Sequence, residues 1–243
     1  MLGFGMTDKG LIRSENQDTY LFEYFEDKDI ALCIVCDGMG GVRGGGLASQ
    51  IASASFVAHI RTCLSSKVKK ELPAILLEAA DYANQKVYRR SRLDSNCRGM
   101  GTTLVGALIY GSELIIINIG DSRGYLVTDK KIRQITRDHS LVEDMVRRGE
   151  LTTAQAKSHP RKNLITRALG VDIKARCDIF THTVKSGDYL ILCSDGLSNQ
   201  VADEEMLTIV SSETDLEIIC KRLLDLTLMR GAPDNVTVVI LEL

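Results

Sequence analysis

The sequence has no long apolar segment, which limits the places where the protein can reside. Apolar runs such as residues 114–119 and 236–241 are far shorter than the roughly 18 to 20 residues needed to cross a bilayer. Residues 1–10 include Asp8 and Lys9 and lack a sustained apolar stretch, so they do not resemble a secretory signal. We therefore expect a cytoplasmic protein without membrane insertion.

An excess of either charge is also missing. Thirty lysine and arginine residues stand against 32 aspartate and glutamate residues, which gives a net charge of -2. Such a balance creates no overall field that would attract nucleic acid or an anionic membrane. Any anion that the protein binds must therefore be held by local groups, and we expect no nucleic-acid partner.

The cysteines do not form the even, closely spaced framework of a small secreted protein, because there are seven of them spread along the chain. Cys33 and Cys36 make a C-x-x-C pair, but both lie in an apolar run of strand length, residues 30–36. Residues three apart on a strand point to opposite faces. We interpret these cysteines as reduced core residues.

Proline is scarce, with three residues in 243, and no repeat or low-complexity stretch is present. A composition of 44% hydrophobic and 26% charged residues suits one large globular domain. Residues 136–170 differ from the rest because they are polar and highly charged. We expect a single domain over 1–243, with a flap subdomain at about 136–170.

Apolar periodicity and turn residues predict alternating groups of strands and helices. Asp203 and Asp215 are suited to cap the last two helices. Strands first, then two long helices, then strands, helices and a final strand favour an α+β fold of sheets covered by helices. The predicted strands are 19–25, 30–36, 102–110, 113–118, 124–127, 133–135, 189–193 and 236–241, and the predicted helices are 47–64, 73–92, 203–211 and 215–229.

Four acidic motifs carry the chemistry, and each stands at the end of a strand-like run. A carboxylate at a strand end is rigidly placed, and a neighbouring glycine lets the backbone approach a ligand closely. Converging carboxylates repel one another unless a cation lies between them, and Mg²⁺ and Mn²⁺ prefer such oxygen ligands. The four motifs are Asp37-Gly-Met-Gly-Gly41, Gly120-Asp-Ser-Arg123, Ser194-Asp-Gly-Leu197 and Pro233-Asp-Asn-Val236.

Together with further motifs, these stretches resemble the protein phosphatase 2C (PP2C) family of metal-dependent phosphatases, in its compact bacterial form. The matching stretches occur in the family's order and cover nearly the whole chain. Besides the first three acidic motifs, they include Gly10-Leu-Ile-Arg-Ser-Glu-Asn-Gln-Asp18, Gly99-Met-Gly-Thr-Thr103 and, overlapping the fourth motif, Asp234-Asn-Val-Thr237.

The resemblance implies a four-layer α-β-β-α sandwich of two antiparallel sheets flanked by helices, with metals in a channel at one edge. By position, Asp37 would bridge two Mn²⁺ or Mg²⁺ ions, and Gly38 would offer its backbone carbonyl to one of them. Asp195 and Asp234 would complete the other. Asp121 matches a residue that helps to hold a weaker third ion together with Asp195.

The resemblance also assigns roles around the metals. Arg13 matches the phosphate-binding arginine of the family, and a guanidinium suits that task because it offers phosphate a bidentate fork and stays charged. Asn16 and Asp18 would lie behind the metals and order waters, and Asn235 would join them as a supporting residue. Arg13, Asp37, Asp195 and Asp234 form the expected catalytic set.

The implied activity is hydrolysis of phosphoserine and phosphothreonine on proteins, opposing a serine/threonine kinase. Two metals roughly 3.5–4 Å apart lower the pKa of a bridging water, and the resulting hydroxide attacks phosphorus in line. The enzyme would act as a monomer on phosphorylated proteins in a signalling pathway.

Two positions depart from the usual bacterial pattern, because Val42 and Gly46 stand where relatives commonly have histidine and glutamate. If that histidine protonates the leaving group in relatives, this protein must use a metal-bound water or another group, and its turnover could be slower. His139 and His159 lie in or near the flap, but we interpret both as exposed or structural residues.

Two other enzyme classes, serine hydrolases and nucleotide-binding enzymes, have their own sequence motifs. Gly120-Asp-Ser-Arg-Gly124 has the Gly-x-Ser-x-Gly spacing around Ser122, but predicted strands flank it on both sides, whereas a nucleophile elbow leads from a strand into a helix. Ser194 lacks this spacing, and the sequence has no Gly-x-x-x-x-Gly-Lys-Ser/Thr loop, so a serine hydrolase and a nucleotide-binding enzyme are both disfavoured. Two rivals stay open: a catalytically feeble homologue that binds phosphoproteins, and a phosphatase dedicated to one small regulator.

Overall fold

The fold is an α+β sandwich, seen in a computed structural model that describes residues 1–65 and 71–243, apart from the side chains of 41–43. The strands are β1 (Leu2–Asp8), β2 (Asp18–Phe25), β3 (Ile30–Met39), β4 (Gly101–Thr102), β5 (Leu104–Tyr110), β6 (Glu113–Ile119), β7 (Arg123–Thr128), β8 (Lys131–Gln134), β9 (Asp178–Thr183), β10 (Tyr189–Cys193) and β11 (Val236–Glu242). The helices are α1 (Gly41–Ser65), α2 (Leu72–Leu93), α3 (Leu141–Arg147), α4 (Thr153–Lys157), α5 (Asp195–Ser198), α6 (Asp203–Ser211) and α7 (Leu216–Met229).

The strands form two antiparallel sheets that pack face to face. One sheet has the order β1-β11-β10-β7-β8, and the other has the order β2-β3-β5-β6-β9, with β4 paired to β3. Buried aliphatic side chains fill the space between the sheets, and separate cores join one sheet to α1 and α2 and the other to α6 and α7. The predicted four-layer sandwich of two sheets flanked by helices is confirmed.

Cys33 and Cys36 lie on β3 and are fully buried, but they face different cores. Cys33 packs between the two sheets, whereas Cys36 packs under α1 and α2. All seven cysteines are free thiols, as expected. Burial raises the pKa of both β3 thiols, so neither is a ready nucleophile.

Three predicted details of secondary structure are wrong. Strands β1 and β9 were not predicted, and α1 begins at Gly41 instead of residue 47. The N-cap of α6 is Ala202 and not Asp203, because the Glu205 carboxylate accepts a hydrogen bond from the Ala202 N–H at 3.0 Å. The other predicted cap is confirmed, since Asp215 accepts bonds from the first backbone N–H groups of α7.

The segment between β8 and β9, which includes the predicted flap, carries the short helices α3 and α4. An isolated β-bridge between Thr102 and Leu169 ties it to the sandwich, and a second one, between Ser140 and Ile165, lies within the segment itself. His139 is buried at the base of the segment, where its Nδ1 accepts a hydrogen bond from the Gly120 N–H at 3.1 Å. Within residues 1–65 and 71–243, no helix is long and apolar enough to span a bilayer.

Strand pairing brings the acidic motifs to one end of the sandwich. Asp18 begins β2 and Asp37 lies near the end of β3, and the two are direct partners in the antiparallel register. Asp121 follows β6, Asp195 follows β10 and Asp234 precedes β11. Neighbouring antiparallel strands run in opposite directions, so the start of one strand lies beside the end of the next. The acidic residues, which stand at the start of some strands and at the end of others, therefore meet at one edge.

Candidate active site

A cavity of ≈ 450 Å³ opens at this edge of the sandwich. It is lined by most of the residues predicted for the site and also by Asn163 and Ile165, from the segment between β8 and β9. Asn16 is exposed and Asp18 is buried, and neither lines the cavity surface. The predicted residues that line it are Arg13, Asp37, Gly38, Asp121, Asp195, Asp234 and Asn235.

Two threonines hold the backbone of Asp37 in place. The Thr103 hydroxyl accepts a hydrogen bond from the Asp37 N–H at 2.9 Å, and the Asp37 carbonyl accepts one from the Thr102 hydroxyl at 2.9 Å. Thr103 also bonds to the Ser122 hydroxyl at 2.7 Å, beside Asp121. The sequence alone assigns no role to the Gly99-Met-Gly-Thr-Thr103 motif, whereas in the structure its Thr103 side chain joins two acidic motifs.

Asp18 lies behind the cavity and connects the two sheets. Its Oδ2 atom accepts hydrogen bonds from the hydroxyls of Ser194 and Thr237, both at 2.7 Å. Its Oδ1 atom is buried and has no hydrogen-bond donor among the residues that the structure describes. A buried carboxylate oxygen without a partner is costly, so this atom calls for a water or cation at the site.

The other acidic side chains are also fixed by neighbours. Asp195 is the first residue of α5, and its Oδ2 atom accepts a hydrogen bond from the Asn199 amide at 3.0 Å. The Asp234 carboxylate accepts a hydrogen bond from the Asn235 N–H at 2.9 Å and forms an ion pair with Arg13 at 2.7 Å. Each carboxylate is therefore held beside the cavity before any ligand binds.

Burial and mutual repulsion make ionisation of the cluster difficult. Burial, followed by the charges of Asp18, Asp195, Asp121 and Asp234, raises the pKa of Asp37 well above its usual range. Burial, followed by the charges of Asp195 and Asp138, raises the pKa of Asp121 to about 8. Burial, with the charges of Asp195 and Asp234, raises that of Asp18 to about 6. The pKa of Asp195 is raised by burial and by Asp234.

These residues fit a site for hard divalent cations. The donors are carboxylate oxygens, which are the ligands that Mg²⁺ and Mn²⁺ prefer. Burial and the neighbouring carboxylates raise their pKa values, and a bound cation would favour the ionised form against both, while the unpartnered Oδ1 atom of Asp18 lies behind the cavity. The chemistry of the donor set and the orphaned oxygen both suit metal binding.

Arg13 lies on the loop between β1 and β2, and Asn235 positions that loop. The Asn235 side-chain amide donates hydrogen bonds to the carbonyl groups of Lys9 and Glu15, and its oxygen accepts one from the Gln17 N–H. Asn235 therefore supports the arginine loop. Asn16 makes a smaller contribution, donating from its amide to the Thr7 hydroxyl at 2.9 Å.

Close backbone contacts explain the glycines around Asp37. A Cβ atom on Gly38 would overlap the carbonyl oxygen of Gly45, in the first turns of α1, and would lie 2.6 Å from the Gln17 carbonyl oxygen. Gly45 faces the same contact from the other side, because a Cβ there would lie 2.6 Å from the Gly38 carbonyl oxygen. Glycine thus lets α1 approach the turn that follows Asp37.

This packing predicts opposite effects for two neighbouring glycines. Gly45→Ala should destabilise the fold by about 1–3 kcal/mol, because the added methyl group overpacks the contact with Gly38. Gly46→Ala should be neutral or should stabilise the helix by about 0.5–1 kcal/mol, because a Cβ there meets its nearest atoms at 3.8 Å. Chemical denaturation of both variants measures the difference, and equal effects would contradict the packing argument.

Comparison with known proteins places this arrangement in a family. The family model described as Protein phosphatase 2C matches residues 13–223, from the arginine loop to α7. The chain belongs to the PP2C family. Within this family it is 38% identical to the serine/threonine phosphatase stp of Listeria monocytogenes serotype 4b over 237 residues, covering 97% of this chain and 93% of that protein.

Solved PP2C structures agree with the fold. The Mycobacterium tuberculosis serine/threonine phosphatase PstP/Ppp is similar with a TM-score of 0.90 and 35% identity, covering 100% of this chain and 98% of that chain. A catalytic domain of PstP in complex with two manganese ions is similar with a TM-score of 0.84 and 33% identity, covering 98% of this chain and 96% of that one. The predicted family is confirmed by these likenesses.

Proposed function

We propose that this PP2C chain is a metal-dependent protein phosphatase that hydrolyses phosphoserine and phosphothreonine on other proteins. The observation that carries the proposal is the cavity in which four aspartates and Arg13 meet. Members of the family with similar sequences are named serine/threonine phosphatases, and one related structure holds two manganese ions. Together these observations support the chemistry as well as the family.

The metal sites follow from the residues that line the cavity. Asp37, the Gly38 carbonyl, Asp195 and Asp234 would hold two Mn²⁺ or Mg²⁺ ions, and Asp121 with Asp195 would hold a third, weaker one. When bound, such ions supply Lewis acidity toward the phosphoryl oxygens and lower the pKa of water in the cavity.

Arg13 binds the phosphate of the substrate in this proposal. Its side chain is 55% exposed and now pairs with Asp234, which is 33% exposed. Exposed ion pairs contribute only about 0–1 kcal/mol, so the guanidinium can leave Asp234 at little cost when a phosphate enters. A phosphate then offers two oxygens to the planar fork.

Asp18 and Asn235 support the reacting groups without touching the substrate. The Oδ1 atom of Asp18, which has no donor among the described residues, can accept a hydrogen bond from a water at the back of the cavity, while its Oδ2 atom stays bound to Ser194 and Thr237. Asn235 keeps the arginine loop over the opening. Loss of Asp18 should misplace the water, and loss of Asn235 should misplace Arg13, but neither change removes a proposed metal ligand.

The flap over 136–170 is proposed to bound the substrate site, since its residues Asn163 and Ile165 line the cavity. A substrate protein must pass this wall to reach the aspartates. Phosphoproteins are the proposed substrates. An opposing serine/threonine kinase, a monomeric state and a cytoplasmic location remain predictions from the sequence.

Metal removal provides the test of the proposal. Protein treated with a chelator should release no phosphate from a phosphothreonine peptide, and Mn²⁺ should restore the release. Metal-independent release would contradict the mechanism. No release with any divalent metal would favour the rival, a phosphoprotein-binding module with little activity.

Substitution of Arg13 separates substrate binding from metal binding. Arg13→Ala should lower kcat/KM for the peptide by roughly 10–200-fold, because a charge-assisted contact to phosphate contributes about 1.5–3 kcal/mol. Arg13→Lys should recover part of the loss, since lysine keeps the charge but not the fork. Steady-state kinetics at saturating Mn²⁺ measure both, and an unchanged kcat/KM in Arg13→Ala would exclude the assigned role.

A further inference from the structure

A second group of metal-ligating side chains lies on the helical layer, away from the cavity. His59 and Cys63 stand four residues apart on α1, and Glu78 stands on α2, which packs against it. Residues four apart share one face of a helix. His59 lies about 27 Å along the helix from Gly41, where α1 leaves the catalytic edge.

The three side chains converge closely enough to share an ion. One ligand atom from each lies within 4.8 Å of the other two, and the His59 Nε2 atom is 3.6 Å from the Glu78 Oε2 atom. Zinc–ligand bonds of about 2.0–2.3 Å place two ligands of a tetrahedral ion roughly 3.3–3.8 Å apart. The histidine–glutamate separation already falls in this range, and the Cys63 Sγ atom lies within 4.8 Å of both partners.

The state of His59 is an independent sign of a missing ligand. Its Nε2 atom is buried and has no hydrogen-bond partner in the described parts of the chain, although the ring as a whole is 25% exposed. The Glu78 carboxylate is too distant for a hydrogen bond. Tyr82 packs against the imidazole with ring centroids 5.2 Å apart, which holds the ring facing the cluster.

The donor types select a different metal from that of the catalytic cavity. Nitrogen, sulfur and oxygen donors together suit Zn²⁺ and similar borderline ions, whereas Mg²⁺ and Mn²⁺ prefer oxygen alone. We propose that His59, Cys63 and Glu78 bind one zinc-class divalent ion that connects α1 to α2. The Cys63 thiol loses its proton to solvent on binding, and water fills the fourth position.

Cobalt titration of the full chain tests this site directly. With Mg²⁺ in excess to occupy the carboxylate cavity, Co²⁺ should bind and give the thiolate-to-cobalt charge-transfer band in the near ultraviolet, with one equivalent at saturation. One equivalent of Zn²⁺ should displace it. A carboxylate site cannot give this band, so the signal is independent of the proposed phosphatase activity.

Variants assign the ligands. Cys63→Ser should abolish the band, whereas Cys177→Ser, which changes the other cysteine that is only partly buried, should keep it. Loss of an outer partner of a metal ligand already lowers affinity roughly 10–100-fold, so His59→Gln and Glu78→Gln should weaken binding by at least about tenfold. An unchanged melting temperature of Cys63→Ser protein would show that its loss of the band is not due to unfolding. Absence of the band in wild-type protein, or its survival in Cys63→Ser protein, would overturn the proposal.

Discussion

Replacement of Asp37 by asparagine is expected to lower kcat for phosphothreonine-peptide hydrolysis by roughly a thousandfold or more. Asp37 is the carboxylate that all four neighbouring aspartates influence, and in our proposal it bridges both ions. Lewis-acid stabilisation by a metal contributes several kcal/mol to the transition state, and each 1.36 kcal/mol changes the rate tenfold. Loss of the bridge should remove most of that contribution.

The control for this variant is Asp129→Asn, which changes an exposed aspartate in the β7–β8 turn that pairs with Lys185. It should retain full activity, because exposed ion pairs contribute little and Asp129 does not line the cavity. Asp234→Asn should be nearly as inactive as Asp37→Asn. If Asp37→Asn kept more than about a tenth of wild-type kcat at saturating Mn²⁺, the bridging role would be excluded.

The metal-free protein should lose stability as the pH rises from about 4 to 8. In the folded state the pKa of Asp18 is raised to about 6 from 3.8, mainly by burial, so the folded protein binds protons more tightly than the unfolded chain. Stability therefore falls as pH rises through this interval and is highest below it. The Asp18 shift alone corresponds to about 3 kcal/mol. The raised pKa of Asp121, about 8, extends the loss to higher pH.

Mn²⁺ should reverse this loss, because a cation offsets the repulsion between the carboxylates. For a chain of this length, 3 kcal/mol corresponds to roughly 6–12 °C in Tm. Differential scanning fluorimetry should show a larger rise in Tm on adding Mn²⁺ at pH 8 than at pH 5. Asp18→Asn should raise the metal-free Tm at pH 8 by removing one buried charge. A metal-free Tm that rises between pH 5 and 8 would contradict the account.

The catalytic motifs could be predicted because each combines an apolar strand with an acidic turn. The main strands and the long helices were predicted for the same reason, since their apolar patterns are strong. Strand β1 lacks such a pattern, because it contains Gly3 and Gly5. Its glycines instead lie under the rings of Phe22 and Tyr20, a contact made only in the folded protein.

The start of α1 was predicted too late for a related reason. Glycine has low helix propensity, so the run that includes Gly44, Gly45 and Gly46 predicts a loop. In the structure the run is helical, and Gly45 packs against the turn at Gly38. Here a long-range contact outweighs the local preference.

The support around the aspartates could not be predicted from the sequence. The register that pairs Asp18 with Asp37 depends on the assembled sheet. The hydroxyls of Ser194 and Thr237 reach Asp18 only because β10 and β11 pair beside each other and the two sheets meet at this edge. Thr103 likewise acquires its role through β4 and β5. Single motifs identify the candidate ligands, whereas tertiary pairing identifies the residues that hold them.

A crystal of the protein soaked in Mn²⁺ tests the central claim most directly. Anomalous scattering at the manganese edge should show two strong peaks in the cavity, contacted by Asp37, the Gly38 carbonyl, Asp195 and Asp234, with a weaker third peak near Asp121. An empty cavity, or manganese bound only at other surfaces while these carboxylates stay unliganded, would contradict the account.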